Sequence, residues 1–155
     1  MRKGITVGVN AAERSRLEAM AGPTVRFLGW QPDDVIRAHY RSCRALIFPG
    51  EEDFGIVPIE ALACGAPVIA LGRGGAAETV DDAVGRTYPE PTADSLREAI
   101  GAWEQDGRPH DPMLARRRAE ALALPLFRQR LLGFLAEVTG PGTHAVPPAP
   151  HLDLS

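Results

Sequence analysis

The sequence lacks several features that would point directly to a function. Its 155 residues carry a net charge of −3, so the basic excess with which proteins neutralise nucleic-acid phosphates is missing. No apolar run approaches the roughly 18 residues of a membrane span, and the N-terminus shows no signal-peptide pattern. We therefore expect a cytoplasmic protein with no nucleic-acid partner and no transmembrane segment.

Cysteine and histidine are scarce as well. The two cysteines, Cys43 and Cys64, lie in apolar stretches without metal-type spacing, which favours free buried thiols over a disulfide. None of the four histidines stands at a telling spacing from a nucleophile or an acid, so the sequence predicts no metal site and no Ser-His-Asp arrangement. The one basic run, residues 116–118, is interpreted as a solvated helix face.

What the chain does have is a regular alternation of short apolar runs and helical patterns. The runs predict five strands, at Ile5–Val9, Val25–Leu28, Ala45–Phe48, Val68–Leu71 and Gly85–Tyr88. Helices are predicted between and after them, at Glu13–Met20, Pro32–Tyr40, Pro58–Cys64, Gly75–Val80 and Ala93–Trp103, the last capped by Thr92. This order predicts an α/β fold, with a single domain over residues 1–139, a mostly parallel sheet of about five strands and helices on both faces.

Beyond Gly107 the pattern is purely helical. Two further helices are predicted, at Pro112–Leu122 and Leu126–Val138. The second carries an apolar stripe that we interpret as core packing, formed by Phe127, Leu131, Phe134 and Leu135. Residues 140–155 hold four prolines and little that could pack, so they are predicted to form a disordered tail.

The most informative stretch, residues 48–79, reads FPGEEDFGIVPIEALACGAPVIALGRGGAAET. Ligands of parallel sheets bind beyond the carboxyl ends of the strands, where the loop Pro49–Gly55 is expected. The following helix begins near Val57, and its free N–H groups and dipole favour an anion. The amides available to a phosphate or to neighbouring hydroxyls are those of Phe54, Gly55, Ile56 and Val57. The next loop, residues 72–75, is either a second phosphate or sugar loop or a plain tight turn, and its Arg73 is interpreted as a surface charge.

Two carboxylates, Glu52 and Glu60, stand eight positions apart around this turn. Carboxylates accept paired hydrogen bonds from diols, such as those of a sugar or a ribose. Taken singly, Glu60 could be the solvent face of its helix, and Glu52 a loop charge or a partner of the helix dipole. Together with the amides, the pair favours a site for a sugar nucleotide.

Residues 45–80 resemble the C-terminal domain of retaining glycosyltransferases of the GT-B fold, family GT4. The resemblance rests on two glutamates separated by seven residues and on the motifs that follow them, which are Ala63-Cys64-Gly65, Pro67-Val68-Ile69 and Gly74-Gly75 with Glu78. It extends over about residues 5–138, where Val25–Gly29 is similar to the strand and glycine that line the base pocket. It implies a Rossmann-like domain that forms half of a GT-B fold.

The resemblance also implies roles for the motif residues. Glu52 would be the catalytic residue, in contact with the transferred hexose, and Glu60 would hold the ribose hydroxyls. The other donor-binding positions would be Phe54, Gly55, Ile56, Val57, Gly74 and Gly75, with the backbone of Gly29 and Trp30 at the base. The substrate would be a nucleotide-diphosphate sugar, transferred with retention of configuration and without a metal or other cofactor.

The chain also departs from the family pattern. Family enzymes have a second Rossmann-like domain for the acceptor, so this chain is expected to be inactive without an N-terminal domain or partner chain. The Arg and Lys that contact the diphosphate in the family have no match before residue 5, and the usual Gly-Asp-Gly-Pro turn reads Gly8-Val9-Asn10-Ala11.

The alternative function is a degenerate, non-catalytic GT-B module that binds a partner chain. A third possible function is that of another GT-B enzyme, such as an epimerase or a phosphorylase. The phosphorylase is disfavoured because its pyridoxal cofactor is bound by a lysine, and the only lysine of this chain is Lys3, at the N-terminus.

Overall fold

The computed structural model describes residues 4–6 and 11–139. Residues 7–9 of the predicted first strand and the predicted tail at 140–155 lie outside the described residues. The chain divides into two compact units, Met1–His39 and Tyr40–Ser155. The bounds of a single domain at 1–139 therefore stay a prediction.

The first unit contains a parallel pair of strands and two helices. Its elements are β1 (Gly4–Thr6), α1 (Ala11–Met20), β2 (Val25–Phe27) and α2 (Asp33–Ser42), whose last residues belong to the second unit. β1 runs parallel to β2, with Gly4 opposite Val25. Pro32 precedes α2, and Asp33 and Asp34 lie in its first turn, where negative charge is favourable to the helix dipole.

In its described part, residues 40–139, the second unit contains a three-stranded sheet and five helices that begin within it. Its elements are β3 (Leu46–Phe48), α3 (Ile56–Ala63), β4 (Val68–Leu71), α4 (Gly75–Thr79), β5 (Gly85–Tyr88), α5 (Ala93–Gln105), α6 (Pro112–Ala121) and α7 (Leu124–Thr139). The strand order is β3-β4-β5, and both pairs are parallel. The α/β class and the parallel pairing are thus confirmed. Within residues 4–6 and 11–139, however, the five strands form sheets of two and three strands rather than one sheet of about five.

The central strand β4 is buried along its whole length, as its unbroken apolar run predicted. Successive side chains of a strand point to opposite faces. Val68 and Ala70 therefore pack in one cluster with residues of α3 and α6. Ile69 and Leu71 pack in a second cluster, which includes Trp103 of α5. Helices cover both faces of this sheet, as expected.

Element bounds differ from the predicted ones by at most two residues among the elements described in full. α3 begins at Ile56, two positions before Pro58, because the first turn of a helix tolerates proline. Thr92 caps α5 as predicted, and its hydroxyl accepts a hydrogen bond from the N–H of Ser95 at 3.2 Å. Cys43 is a free thiol, as is Cys64, and both are half-buried.

One interpretation of the C-terminal helices is wrong, and another holds only in part, since Arg116 and Arg117 are exposed but the side chain of Arg118 is mostly buried. α7 has no buried residue and its Phe127 is 56% exposed, so the apolar stripe does not pack into a core of the described chain. On α6, the side chain of Arg118 is only 11% exposed, and its guanidinium pairs with Asp81 at 2.5 Å. A run of like charges in a sequence does not show which member meets an acid from another element.

Candidate functional site

The carboxyl edge of the three-stranded sheet is formed by the loops that follow its strands. The first of them, residues 49–55, comes after Phe48 and leads directly into α3. Gly55 ends this loop in the left-handed conformation, with φ 76° and ψ 58°. A residue with a side chain adopts that conformation only at a cost, so glycine is what allows the chain to enter the helix here.

The beginning of α3 has no side-chain cap. Within the described residues, the N–H groups of Ile56 and Val57 have no hydrogen-bond partner. Pro58, the third helical residue, has no N–H group, so two amides and the positive end of the dipole remain available. Ile56 is 60% exposed and Phe54 54%, so a ligand can reach this backbone. Such an arrangement can bind an anion.

The loop that follows β4 packs backbone to backbone against the first loop. The N–H of Gly75 donates to the carbonyl oxygen of Glu52 at 2.8 Å. A Cβ on Gly74 would overlap that same oxygen, and a Cβ on Gly75 would overlap the carbonyl oxygen of Phe54. Gly74 also has φ 58° and ψ −153°, which side chains exclude. The two glycines therefore determine where the Glu52–Phe54 backbone lies, a role that the sequence analysis missed.

Arg73 belongs to the same loop but is directed to the end of β5. Its guanidinium donates to the carboxylate of Glu90 at 3.2 Å and to the carbonyl oxygen of Pro89 at 3.3 Å. The side chain is 42% exposed. These contacts are those of a surface charge, which agrees with the interpretation made from the sequence.

The two carboxylates of the motif, Glu52 and Glu60, are both exposed. The hydroxyl of Tyr40, from α2, donates to the carboxylate of Glu60 at 3.5 Å. Burial, followed by the negative charge and the hydrogen bond of Glu60, raises the pKa of Tyr40 to about 12. The pairing of Tyr40 with an acid twenty positions later was missed, and no sequence pattern signals it. Exposure of the carboxylates agrees with ligand binding and equally with the alternatives named above.

The residues expected at the base, Gly29 and Trp30, lie in the first unit, directly after β2 and Leu28. Gly29 has a positive φ of 65°, and Trp30 is 84% exposed. Their part in one site with the residues of the second unit stays a prediction.

Comparison with known proteins identifies the family of the chain. The model of the family "Glycosyl transferases group 1" matches residues 6–121. The chain belongs to the group 1 glycosyltransferase family. The family predicted from the two-glutamate motif is therefore confirmed.

Individual relatives of this group 1 chain agree with the assignment. A D-inositol 3-phosphate glycosyltransferase of Saccharomonospora viridis is 32% identical over 121 residues, covering 70% of this chain and 28% of that protein. The structure of HepE from Anabaena in complex with UDP has a TM-score of 0.64 at 26% identity, covering 87% of this chain and 41% of that one. A glycosyltransferase from Rickettsia africae shares the fold, with a TM-score of 0.74 at 20% identity, covering 91% and 41%. The chain spans less than half the length of each.

Two further findings concern residues 4–6 and 11–139. None of the helices there combines the length and the apolar character needed to cross a membrane. No three His, Cys, Asp or Glu side chains in these residues gather in a way that could hold a metal ion. That the reaction needs no metal stays a prediction.

Proposed function

We propose that this chain is the donor-binding half of a glycosyltransferase that transfers a hexose from a nucleotide sugar with retention of configuration. The observation that carries the proposal is the uncapped start of α3 at the carboxyl edge of the sheet. Glu52 lies in the loop before this start, and Glu60 lies about one turn inside the helix. The HepE relative was solved with UDP, the class of molecule that such a start would hold.

The diphosphate of the donor would lie at the beginning of α3. The free amides of Ile56 and Val57, with those of Phe54 and Gly55 beside them, would donate to its oxygens. When the bond from the sugar to the diphosphate breaks, negative charge grows on the leaving oxygen. Amides and a helix dipole fixed in advance stabilise this charge without having to reorganise. No metal is required for that step in this proposal.

The carboxylates would hold the two sugars of the donor. Glu60 would accept from the ribose hydroxyls and Glu52 from the transferred hexose, because a carboxylate accepts two hydrogen bonds from a diol. The hydroxyl of Tyr40 keeps one oxygen of Glu60 in place. The base would lie against the backbone of Gly29 and Trp30.

Transfer needs more than a bound donor. In the two-domain enzymes that the chain resembles, the acceptor would bind a second, N-terminal domain, and this chain spans 28% of its Saccharomonospora relative. We therefore expect the chain alone to bind donor nucleotides weakly and to transfer no sugar. Adding an N-terminal half from a group 1 enzyme is the corresponding test of activity.

Calorimetric titration of the folded chain with UDP, GDP and ADP tests the proposal. Hydrogen bonds to charged groups contribute about 1.5–3 kcal/mol, so Glu60→Gln should weaken binding by roughly 10- to 100-fold. A 2′-deoxynucleotide should bind the wild type less tightly but lose little further affinity in Glu60→Gln, since the two groups are partners. Glu98→Gln, on the exposed face of α5, is the matched control. Absence of binding by every nucleotide would overturn the proposal.

The non-catalytic module remains a second candidate because of α7. Its apolar side chains are exposed, including Leu124 at 65% and Leu132 at 66%. A surface of this kind is typical of a site that another protein covers. Sedimentation at several concentrations distinguishes the two functions: a stable complex together with no nucleotide binding would favour the module.

A further inference from the structure

A cavity of about 270 Å³ lies in the second unit, near the amino-terminal ends of β3 and β4. It is therefore at the opposite edge of the sheet from the loops described above. Residues just before the two strands line it, together with the ends of α2 and α5. Four of its lining residues are arginine or histidine, namely Arg41, Arg44, Arg108 and His110. None of the positions proposed to contact the donor lines it, although Tyr40, whose hydroxyl donates to Glu60, is among its lining residues.

Most of this positive charge has no acidic partner. Arg44 pairs with Glu104 at 2.7 Å. The guanidinium groups of Arg41 and Arg108 pair with no carboxylate among the described residues. Two positive charges thus remain at the cavity without compensation.

Acids close in sequence to Arg108 are engaged elsewhere. Asp106 pairs with Arg86 of β5 at 2.9 Å. Asp111 caps α6, and its carboxylate accepts from the N–H groups of Met113 and Leu114. These contacts hold Asp106 to β5 and Asp111 to the start of α6, and although Asp111 interacts electrostatically with His110, neither carboxylate pairs with Arg108.

The backbone of Arg108 gives an independent indication. Its φ of 62° makes it the one non-glycine residue in the described part of the chain with a positive φ. Its N–H donates to the carbonyl oxygen of Trp103 at 2.8 Å and so closes the end of α5. Glycine would make the same turn without strain. An arginine held in a costly conformation indicates that its side chain has a use.

Stabilisation of helix ends is the simpler explanation of these charges. Arg41 lies in the last turn of α2, where a cation is favourable to the helix dipole. That explanation accounts for Arg41, but it does not account for the cavity or for the strained backbone of Arg108. The cavity also has a fixed wall, since Trp103 is 2% exposed and its indole N–H donates to the carbonyl oxygen of Pro109 at 3.3 Å.

We propose that this cavity binds a small molecule bearing a phosphate group. Guanidinium groups match the oxygens of a phosphate with paired hydrogen bonds, better than any other side chain does. The volume lies just below the usual range of ligand pockets, about 300–1,000 Å³, so the ligand is a phosphate with a small organic group. The proposal does not depend on the donor site at the other edge of the sheet.

An NMR titration of the full chain tests it, with inorganic phosphate and glycerol 3-phosphate as probes at constant ionic strength. Saturable shifts are expected in the amides of residues 41–44, 65–66, 107–108 and 110. Arg41→Gln and Arg108→Gly should each weaken binding about tenfold or more, as for the loss of a charged hydrogen-bonding group. Arg128→Gln, on exposed α7, makes the same change of charge and should bind as the wild type does.

The outcomes separate this site from the proposed donor site. Shifts confined to residues 54–57 would support the donor site and overturn the cavity site. Wild-type affinity in the Arg41→Gln variant would also overturn it, as would equal shifts with chloride alone. Thermal unfolding of each variant shows whether lost binding reflects a lost fold, and glycine at position 108 is compatible with the native φ.

A second measurement identifies the source of the phosphate. Vesicles of phosphatidylcholine with and without phosphatidic acid are sedimented with the chain. Co-sedimentation that needs phosphatidic acid and is lost in Arg108→Gly assigns the cavity to a lipid headgroup. Binding of glycerol 3-phosphate without co-sedimentation assigns it to a free phosphorylated molecule.

Discussion

Replacing Gly74 by alanine should displace the loop that carries Glu52. A methyl group at this position would overlap the carbonyl oxygen of Glu52, and it would stand on a backbone with φ 58° and ψ −153°. Neither problem has a flexible side chain to absorb it, because the atom in the way belongs to the backbone. The hydrogen bond from the N–H of Gly75 to Glu52 must lengthen or break as the loops separate.

The magnitude follows from these two effects. A side chain in this region of φ and ψ costs about 1–3 kcal/mol. Losing the hydrogen bond adds about 0.5–1.5 kcal/mol. A total of about 2–4 kcal/mol corresponds to a fall in Tm of about 4–16 °C for a chain of this length. The affinity for nucleoside diphosphates should fall as well, since the displaced backbone leads into the free amides of α3.

Circular dichroism during heating measures the fall in Tm. Calorimetric titration with nucleoside diphosphates, below the unfolding transition, measures the loss of affinity. Gly101→Ala is the matched control. It lies within α5, and a Cβ there would have open space. Alanine in a helix interior should raise stability by about 0.5–1 kcal/mol. If Gly74→Ala unfolds at the wild-type temperature and binds nucleotide normally, the reasoning about the two loops is wrong.

Three other changes have defined outcomes. Tyr40 has a pKa of about 12, so NMR of its ring carbons should show it still protonated at pH 11, and the stability of the fold should decrease as the pH rises from about 10 to 12. The Glu60→Gln variant should lower the pKa of Tyr40. An unchanged Tyr40 titration in that variant would contradict the contact between the two side chains. The Arg118 guanidinium holds the pKa of Asp81 below its ordinary value, but the Asp81 side chain is 54% exposed and solvent screens the pair, so Asp81→Asn should cost about 0.2–1 kcal/mol at pH 7 in urea unfolding, and the difference should vanish as the pH falls through the folded-state pKa. Arg108→Gly should raise stability by up to about 1 kcal/mol by relieving a positive φ, and a lower Tm would refute that strain.

Features that depend on neighbours in sequence could be predicted well. The buried strand β4 was evident from an unbroken apolar run, and the cap of α5 from Thr92. The loop at residues 49–55 and the free amides at the start of α3 were predicted from the order of strand, glycine and helix, and their binding of a ligand stays a prediction. The family was expected from a resemblance carried by Glu52, Glu60 and the motifs that follow them, and the family match confirms it.

Features that depend on contacts between distant segments could not be predicted. The overlap of Gly74 with the Glu52 backbone joins two loops, and no local rule of turn chemistry describes it. The pairing of Arg118 with Asp81 crosses 37 positions, and the periodicity of α6 alone gave a solvated face. The apolar stripe of α7 has the spacing of a core helix, yet periodicity does not show whether another surface covers it.

The central claim is that the start of α3 binds the diphosphate of a nucleotide sugar. A crystal structure of the chain with the nucleoside diphosphate that binds best in calorimetry tests it most directly. We predict diphosphate oxygens at about 2.7–3.2 Å from the amide nitrogens of Ile56 and Val57, with the ribose hydroxyls on Glu60. A nucleotide bound elsewhere, or one whose ribose makes no contact with Glu60, would contradict the account.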